Sequence, residues 1–168
     1  MSSRRIIPAT IGILHSYDDQ RVLMLERHGA GDIHDGFYVW PCVKQKCDES
    51  SVDCVVREFD EETGLGFLHP KLRAIVMFSN EGRINPNGNL FEDDYLCSVY
   101  DSREHVGQLR AESDNLRPIW IFKSPLPKTR MHECDRLLFD LLKNPGVYDV
   151  LVKYEGNRLS RFDSRKVD

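Results

Sequence analysis

The chain has 168 residues, of which 40% are hydrophobic and 30% charged, and a net charge of −4. This composition suits a single folded domain with one core, and it excludes a disordered or fibrous chain. The acidic balance lacks the basic stripe of a protein that binds long nucleic acid, and the apolar runs are too short to span a bilayer.

In chain order, Arg5 to Leu14 reads as a first strand. Arg4 and Arg5 ahead of an apolar run weakly resemble the start of a signal peptide. No small-residue cleavage site precedes the polar run His15 to Gln20, so the expected location is cytoplasmic, with no membrane attachment. Five cysteines at irregular spacings (Cys42, Cys47, Cys54, Cys97 and Cys134) do not make a disulfide framework or a zinc site, which fits reduced thiols. Arg21 to Glu26 is a second strand, and a glycine-rich connection, Gly29 to Gly36, leads to an extended run, Phe37 to Val43. A helix follows, then strands near Leu72 to Phe78 and Asp94 to Tyr100, joined by a long hairpin loop, Ser79 to Asn89. Pro118 to Phe122 is a further strand, with Trp120 read as a core residue. Thr129 to Leu142 is a second helix stopped by Asn144, Pro145 and Gly146. Tyr148 to Tyr154 and Arg158 to Asp163 flank Glu155-Gly156-Asn157 as a terminal hairpin. Strands in hairpin-like runs with two helices give an α+β class, a mixed sheet with helices packed on it.

The first helix carries the chemistry. Ser50 can cap its start, with Asp53 three residues on, and Gly64 suits a left-handed stop. Val52, Val55, Val56 and Phe59 recur at helical spacing as an apolar stripe. Glu58, Glu61 and Glu62 cluster on the flank beside it, and Cys54 falls on the same flank without an assigned role. Like charges at this spacing cost an isolated helix about 0.2–0.5 kcal/mol per pair, and the helix dipole disfavours anions toward its C-terminus. Arg57 supplies one compensating charge. A divalent cation bound through hard oxygen ligands, Mg²⁺ or Mn²⁺, would supply the rest. By spacing alone, a solvated acidic face would account for the same pattern.

The segment also carries a longer pattern. Glu49, seven residues, then Arg57-Glu58-Phe59-Asp60-Glu61-Glu62-Thr63-Gly64-Leu65 resembles the Nudix box, which spans residues 43–65 here. Val43 stands where the box opens with glycine, and Cys42-Val43-Lys44 replaces the usual Gly-Gly-Lys. A β-branched residue would be strained there if the turn required positive φ. Three further stretches resemble the MutT-like oxidised purine nucleoside triphosphatases: Glu112 to Trp120, Leu126 to Phe139, and Tyr154 to Leu159. The resemblance covers nearly the whole chain and implies one Nudix domain over residues 1–168, with a mixed sheet between helices (α/β/α).

The resemblance implies a metal-dependent hydrolase. Its substrate would be a small nucleotide such as 8-oxo-dGTP, cut to a monophosphate and pyrophosphate. Glu58 and Glu62 would be the main ligands for Mg²⁺ or Mn²⁺, with the Cys42 carbonyl completing the set. Glu61 would be a further ligand or orient the attacking water. Arg57 would hold the glutamates, Glu49 would brace the loop against the helix, and Glu112 would add an outer ligand or base. Arg27 and Lys44 are candidate phosphate contacts. Asp135 falls on a residue that reads the purine edge, and His132 stands where a stacking tryptophan is common. Cys134 and Val39 replace a second acid and an asparagine of the mammalian branch. Two other functions remain open: hydrolysis of another nucleoside diphosphate derivative, and a catalytically weak nucleotide sensor, which Val43 would explain. A monomer is the expected state, and no protein partner is implied.

Overall fold

A computed structural model describes residues 3–112 and 114–168, so Ser113, inside one of the resembling stretches, lies outside the described residues. The elements run β1 (Ile6–Leu14), β2 (Arg21–Arg27), β3 (Tyr38–Val39), β4 (Cys42–Lys44), α1 (Ser51–Thr63), β5 (Leu65–Leu68), β6 (Lys71–Ser79), β7 (Asp94–Ser102), β8 (Glu104–Gly107), β9 (Leu116–Phe122), a 3₁₀ turn (Lys128–Arg130), α2 (Glu133–Leu141), β10 (Tyr148–Glu155) and β11 (Arg158–Lys166). A six-stranded mixed sheet has the order β11-β10-β6-β7-β1-β4. Beside it lie a three-stranded sheet, β3-β2-β9, and a two-stranded one, β5-β8.

Strand β1 organises the sandwich because successive side chains face opposite sides. Ala9, Ile11 and Ile13 point into the core cluster that holds Cys134, Leu138 and Phe139 of α2. On the other face Leu14 joins Val55 and Phe59 of α1 in a second cluster. Also on that face, Thr10 Oγ1 lies 3.3 Å from Cys54 Sγ. The two helices therefore cover opposite faces of one sheet, the expected α/β/α arrangement.

Four expectations change in detail. The run Phe37 to Val43 is two strands in different sheets, β3 paired with β2 and β4 paired with β1. The chain crosses between them at Trp40-Pro41: Pro41 has no N–H to continue a ladder, while its carbonyl accepts from Gly12 N at 3.0 Å. Strands β5 and β8 were not anticipated. Leu65 and Phe67 are buried and alternate with Gly66 and Leu68, but four residues directly after a helix stop are too short a period-2 signal to separate from the stop itself. The second helix is shorter than Thr129 to Leu142, because Met131 and His132 are extended and the α-helical part begins at Glu133. On α1, Val52 is 40% exposed while Cys54 is fully buried. The buried face is thus rotated toward the acidic flank and takes Glu58 inside with it.

The caps of α1 form as expected. Ser50 Oγ accepts from Asp53 N at 3.1 Å and donates to the Asp53 carboxylate at 2.8 Å. Gly64 has φ 77° and donates its N–H to Asp60 O at 2.9 Å. A Cβ on Gly64 would lie 2.6 Å from the Gln108 carbonyl oxygen, so the helix stop needs glycine for space as well as for φ.

The seating of α1 on β1 depends on Gly12, where a Cβ would meet Phe59 Cε2 at 2.1 Å. Gly12→Ala is expected to push Phe59 out of its site and destabilise the protein by about 1–3 kcal/mol, the usual cost of overpacking. The urea midpoint measures this, and an unchanged midpoint would show that α1 does not rest on this contact.

Candidate active site

The acidic centre is built around one guanidinium. Arg57 donates Nε–H to Glu49 Oε2 at 2.9 Å and Nη2–H to Glu49 Oε1 at 2.7 Å, a two-point clamp. Its Nη1 reaches Glu58 Oε2 at 3.2 Å and Glu61 Oε2 at 3.0 Å. Glu49 also accepts from the backbone N–H of Lys46 at 2.7 Å, which ties the loop before α1 to the helix. The Arg57 fork, helped by that N–H, holds the Glu49 carboxyl down at about 2. In return Glu49 raises the pKa of Arg57, so the guanidinium stays charged.

The three helix glutamates differ. Glu58 is buried at 6% exposure, whereas the Glu61 side chain is 53% exposed. Glu62 is half-buried, and its Oε2 is sealed from solvent with no hydrogen-bond partner. Burial, followed by the neighbouring Glu58 carboxylate, pushes the Glu62 carboxyl far above the usual carboxylate range. Two acids sharing a dry site cannot both ionise unless a cation joins them. The orphaned oxygen and the hard carboxylate donors therefore fit a divalent metal. Among the described residues, no three or more His, Cys, Asp or Glu side chains are already gathered to hold an ion. Arg57 engages Glu61 instead.

Cys42 and Val43 lie in β4, paired with Ile11 and Thr10. Val43 is not among the residues of positive φ, so valine sits there in ordinary strand geometry and the anticipated strain is absent. Cys42 contributes to the raised pKa of both Glu62 and Cys97.

Cys42 also forms the edge of a cavity of about 300 Å³ on the α2 face of the sheet. Lys44, His132 and Asp135, all singled out in the sequence, line this cavity, and so does Val39. The Lys44 Nζ lies 5.7 Å from the Tyr95 ring centroid. His132 caps α2 and packs edge-on against His34, with ring centroids 4.5 Å apart. Burial, then the neighbouring His34, lowers its pKa to about 4, so its ring is neutral at pH 7. Burial raises Asp135 to about 6, against the opposing charge of Arg83. Trp40 Nε1 donates to the Asp135 carbonyl at 3.4 Å, anchoring the first turn of α2 beside the cavity.

Two predicted residues lie elsewhere. Arg27 donates to Asp32 at 2.8 Å and does not line the cavity. Glu112 is exposed in the segment before β9. Trp120 packs against the second core cluster, as expected of a core residue. Sequence reasoning missed Trp40, Asn80, Arg83 and Tyr95, which also line the cavity. The length of the Ser79 to Asn89 loop was the available signal for Asn80 and Arg83, because long loops in compact domains are often functional. A larger cavity, about 790 Å³, opens at the other ends of β1, β6 and β7. It contains none of the predicted residues, and its charges are largely paired with one another, as in Arg73–Asp101 and Lys123–Asp19.

An Arg-clamped acidic helix against one face of a mixed sheet, with a cavity on the other face, is consistent with a Nudix hydrolase. The NUDIX domain family model matches residues 7–140, and the chain belongs to that family, whose members generally use divalent cations. It is similar to the uncharacterised Nudix hydrolase YvcI of Bacillus subtilis, 25% identical over 130 residues, 77% of this chain and 76% of that protein. Its fold is similar to a MutT protein from Bacillus halodurans, with TM-score 0.76, 22% identity, and 94% and 97% of the two chains covered. The fold is also similar to the Nudix domain of Shewanella oneidensis NrtR complexed with ADP ribose, with TM-score 0.63, 16% identity, and 85% and 88% covered.

The clamp makes a stability prediction. Glu49 has a lowered pKa in the fold, so its contribution is present above the usual value of 4.5 and is lost as pH falls toward about 2. Glu49→Gln should melt at a lower temperature than the wild type at pH 7, and the gap should close between pH 4.5 and about 2. A gap independent of pH would mean that charge is not what holds the loop.

Proposed function

We propose that this chain is a metal-dependent nucleotide pyrophosphohydrolase acting on purine nucleoside triphosphates, oxidised ones such as 8-oxo-dGTP included, with a nucleoside monophosphate and pyrophosphate as products. One observation carries the reading: α1, with the Glu58–Glu62 acids and the unpartnered Glu62 oxygen, packs on β1, and β1 and β4 also line the cavity that holds His132 and Asp135. A purine in that cavity would direct its phosphates toward the acids across the Cys42 edge.

On this reading Glu58, Glu62, Glu61 and the Cys42 carbonyl hold Mg²⁺ or Mn²⁺. When bound, the cation lowers the pKa of water and offsets charge developing on the phosphate oxygens. Arg57 keeps Glu58 and Glu61 oriented through its hydrogen bonds. Glu61, the exposed member, is placed to orient the attacking water. Lys44 at the cavity rim meets phosphate, and Arg27 would reach it only by leaving Asp32. His132 packs flat apolar surface against the base, and Asp135 hydrogen-bonds its edge.

A panel of dGTP, 8-oxo-dGTP, dATP and ADP-ribose, incubated with Mg²⁺ or Mn²⁺, tests the reading. Release of pyrophosphate from a purine triphosphate is expected, with none in EDTA. Release of phosphate would place attack elsewhere, and turnover of ADP-ribose alone would favour the nucleoside diphosphate derivative reading, which the NrtR likeness keeps in view. Glu61→Gln and Glu62→Gln should each lower kcat about a hundredfold or more, the usual effect of removing a group that stabilises developing charge. Val43→Gly should leave kcat/KM within about twofold, since Val43 carries no backbone strain; a large gain would revive the sensor reading of the native chain.

Asp135 adds a pH signature. Asp135→Asn should raise KM for purine substrates about tenfold, the scale of a lost hydrogen bond to a charged group. It should also remove the inflection near pH 6 from the KM profile. A profile that keeps this inflection in the variant would assign it to another group.

A further inference from the structure

Arg83 is a strong hydrogen-bond donor in the cavity wall whose role neither the acidic centre nor the family pattern explains. It lies in the long loop after β6, with its backbone fixed on both sides. Its N–H donates to Asn80 O at 3.0 Å and its carbonyl accepts from Phe91 N at 2.9 Å. Ile84 N donates to Asn157 Oδ1 at 2.8 Å, which fastens the loop to the tip of the β10–β11 hairpin.

The side chain is fixed as well. Its guanidinium carbon sits 3.9 Å from the Tyr154 ring centroid and 5.3 Å from that of Phe91. Nη1 donates to Asn80 Oδ1 at 3.2 Å, and Asn80 is itself only 1% exposed, with its amide committed to Asp93 O. A guanidinium offers five N–H donors in a planar fork, and this is its only side-chain hydrogen bond among the described residues. No carboxylate lies within ion-pair distance of it among those residues. An arginine held flat by aromatic faces, charged, and short of acceptors in a largely apolar recess is a preorganised reader of paired acceptor atoms.

We infer that Arg83 selects the base, favouring a 6-oxopurine over adenine by donating to the O6/N7 edge. Guanine presents two adjacent acceptors there, O6 and N7, which the fork fits. Adenine presents N7 beside the N6 amino donor, which would face an N–H of Arg83. Hypoxanthine keeps O6 and N7 and lacks the 2-amino group, so it separates reading of this edge from reading of the opposite one. 8-oxoguanine keeps O6 as an acceptor but carries a hydrogen on N7, so the fork meets it at one point, and this edge by itself does not favour the oxidised base over guanine. The inference rests on the reading of the cavity as the base site and adds to it the residue that sets base preference.

Binding of dGMP, dIMP and dAMP to the metal-free full chain, measured by calorimetry, tests this without any turnover. The wild type should bind dGMP and dIMP about tenfold or more tightly than dAMP, the discrimination of one good two-point base contact. Arg83→Gln should collapse that ratio to within about threefold. Arg83→Lys, which keeps charge and stem but not the fork, should leave it intermediate. Equal wild-type affinities for the three nucleotides, or a ratio that survives Arg83→Gln, would overturn the role of Arg83 and leave the base site standing. Absence of binding by all three would instead remove the base site, and this inference with it. If Arg83→Gln fails to fold, Arg83→Lys carries the test, and a wild-type ratio kept in full by lysine overturns the role of the fork.

Discussion

The Arg57 guanidinium is the interaction on which the site depends. Three carboxylates on one flank of a 13-residue helix repel each other and oppose the helix dipole. Arg57 answers two of them directly and is itself held by Glu49 from the preceding loop. The clamp thus joins β4, its loop and α1 into one unit. Glu62 is the acid it does not reach, and that acid has the raised pKa and the unpartnered oxygen.

The cavity and the acidic helix are built on the same sheet because β1 serves two layers. Its even-numbered residues seat α1, and Ala9 and Ile11 form part of the cavity wall. The crossing at Trp40-Pro41 then lets one short segment contribute Val39 and Trp40 from the β3 side and Cys42 from β4 to the same cavity. A continuous strand from Phe37 to Val43 would have held these residues in one sheet and could not have spanned both. The other end of the sandwich, with the 790 Å³ cavity, shows the opposite character: its charges largely satisfy one another, so its volume alone does not mark it as the reactive end.

Local chemistry made much of this legible in advance. Caps at Ser50 and Gly64, the spacing of Glu58, Glu61 and Glu62, and the partner role of Arg57 all follow from helix geometry, and each appears in the structure. The terminal hairpin and the main strands follow from alternation and turn residues. The expected tension at Val43 does not arise, because a residue type says only which φ values are difficult. The strand partner, Thr10, decides which φ is adopted.

The sequence by itself determined the acidic helix, its ends, its counter-charge and the family pattern, since these depend on residues within one or two helical turns of each other. Only the tertiary structure decided which glutamate is buried, which is clamped and which is left without a partner, because burial is set by the strand against which the helix lies. It also decided that Arg83, remote in sequence from Asp135, shares a cavity with it. Such long-range juxtapositions arise from sheet order and loop closure, and no local period in the chain encodes them.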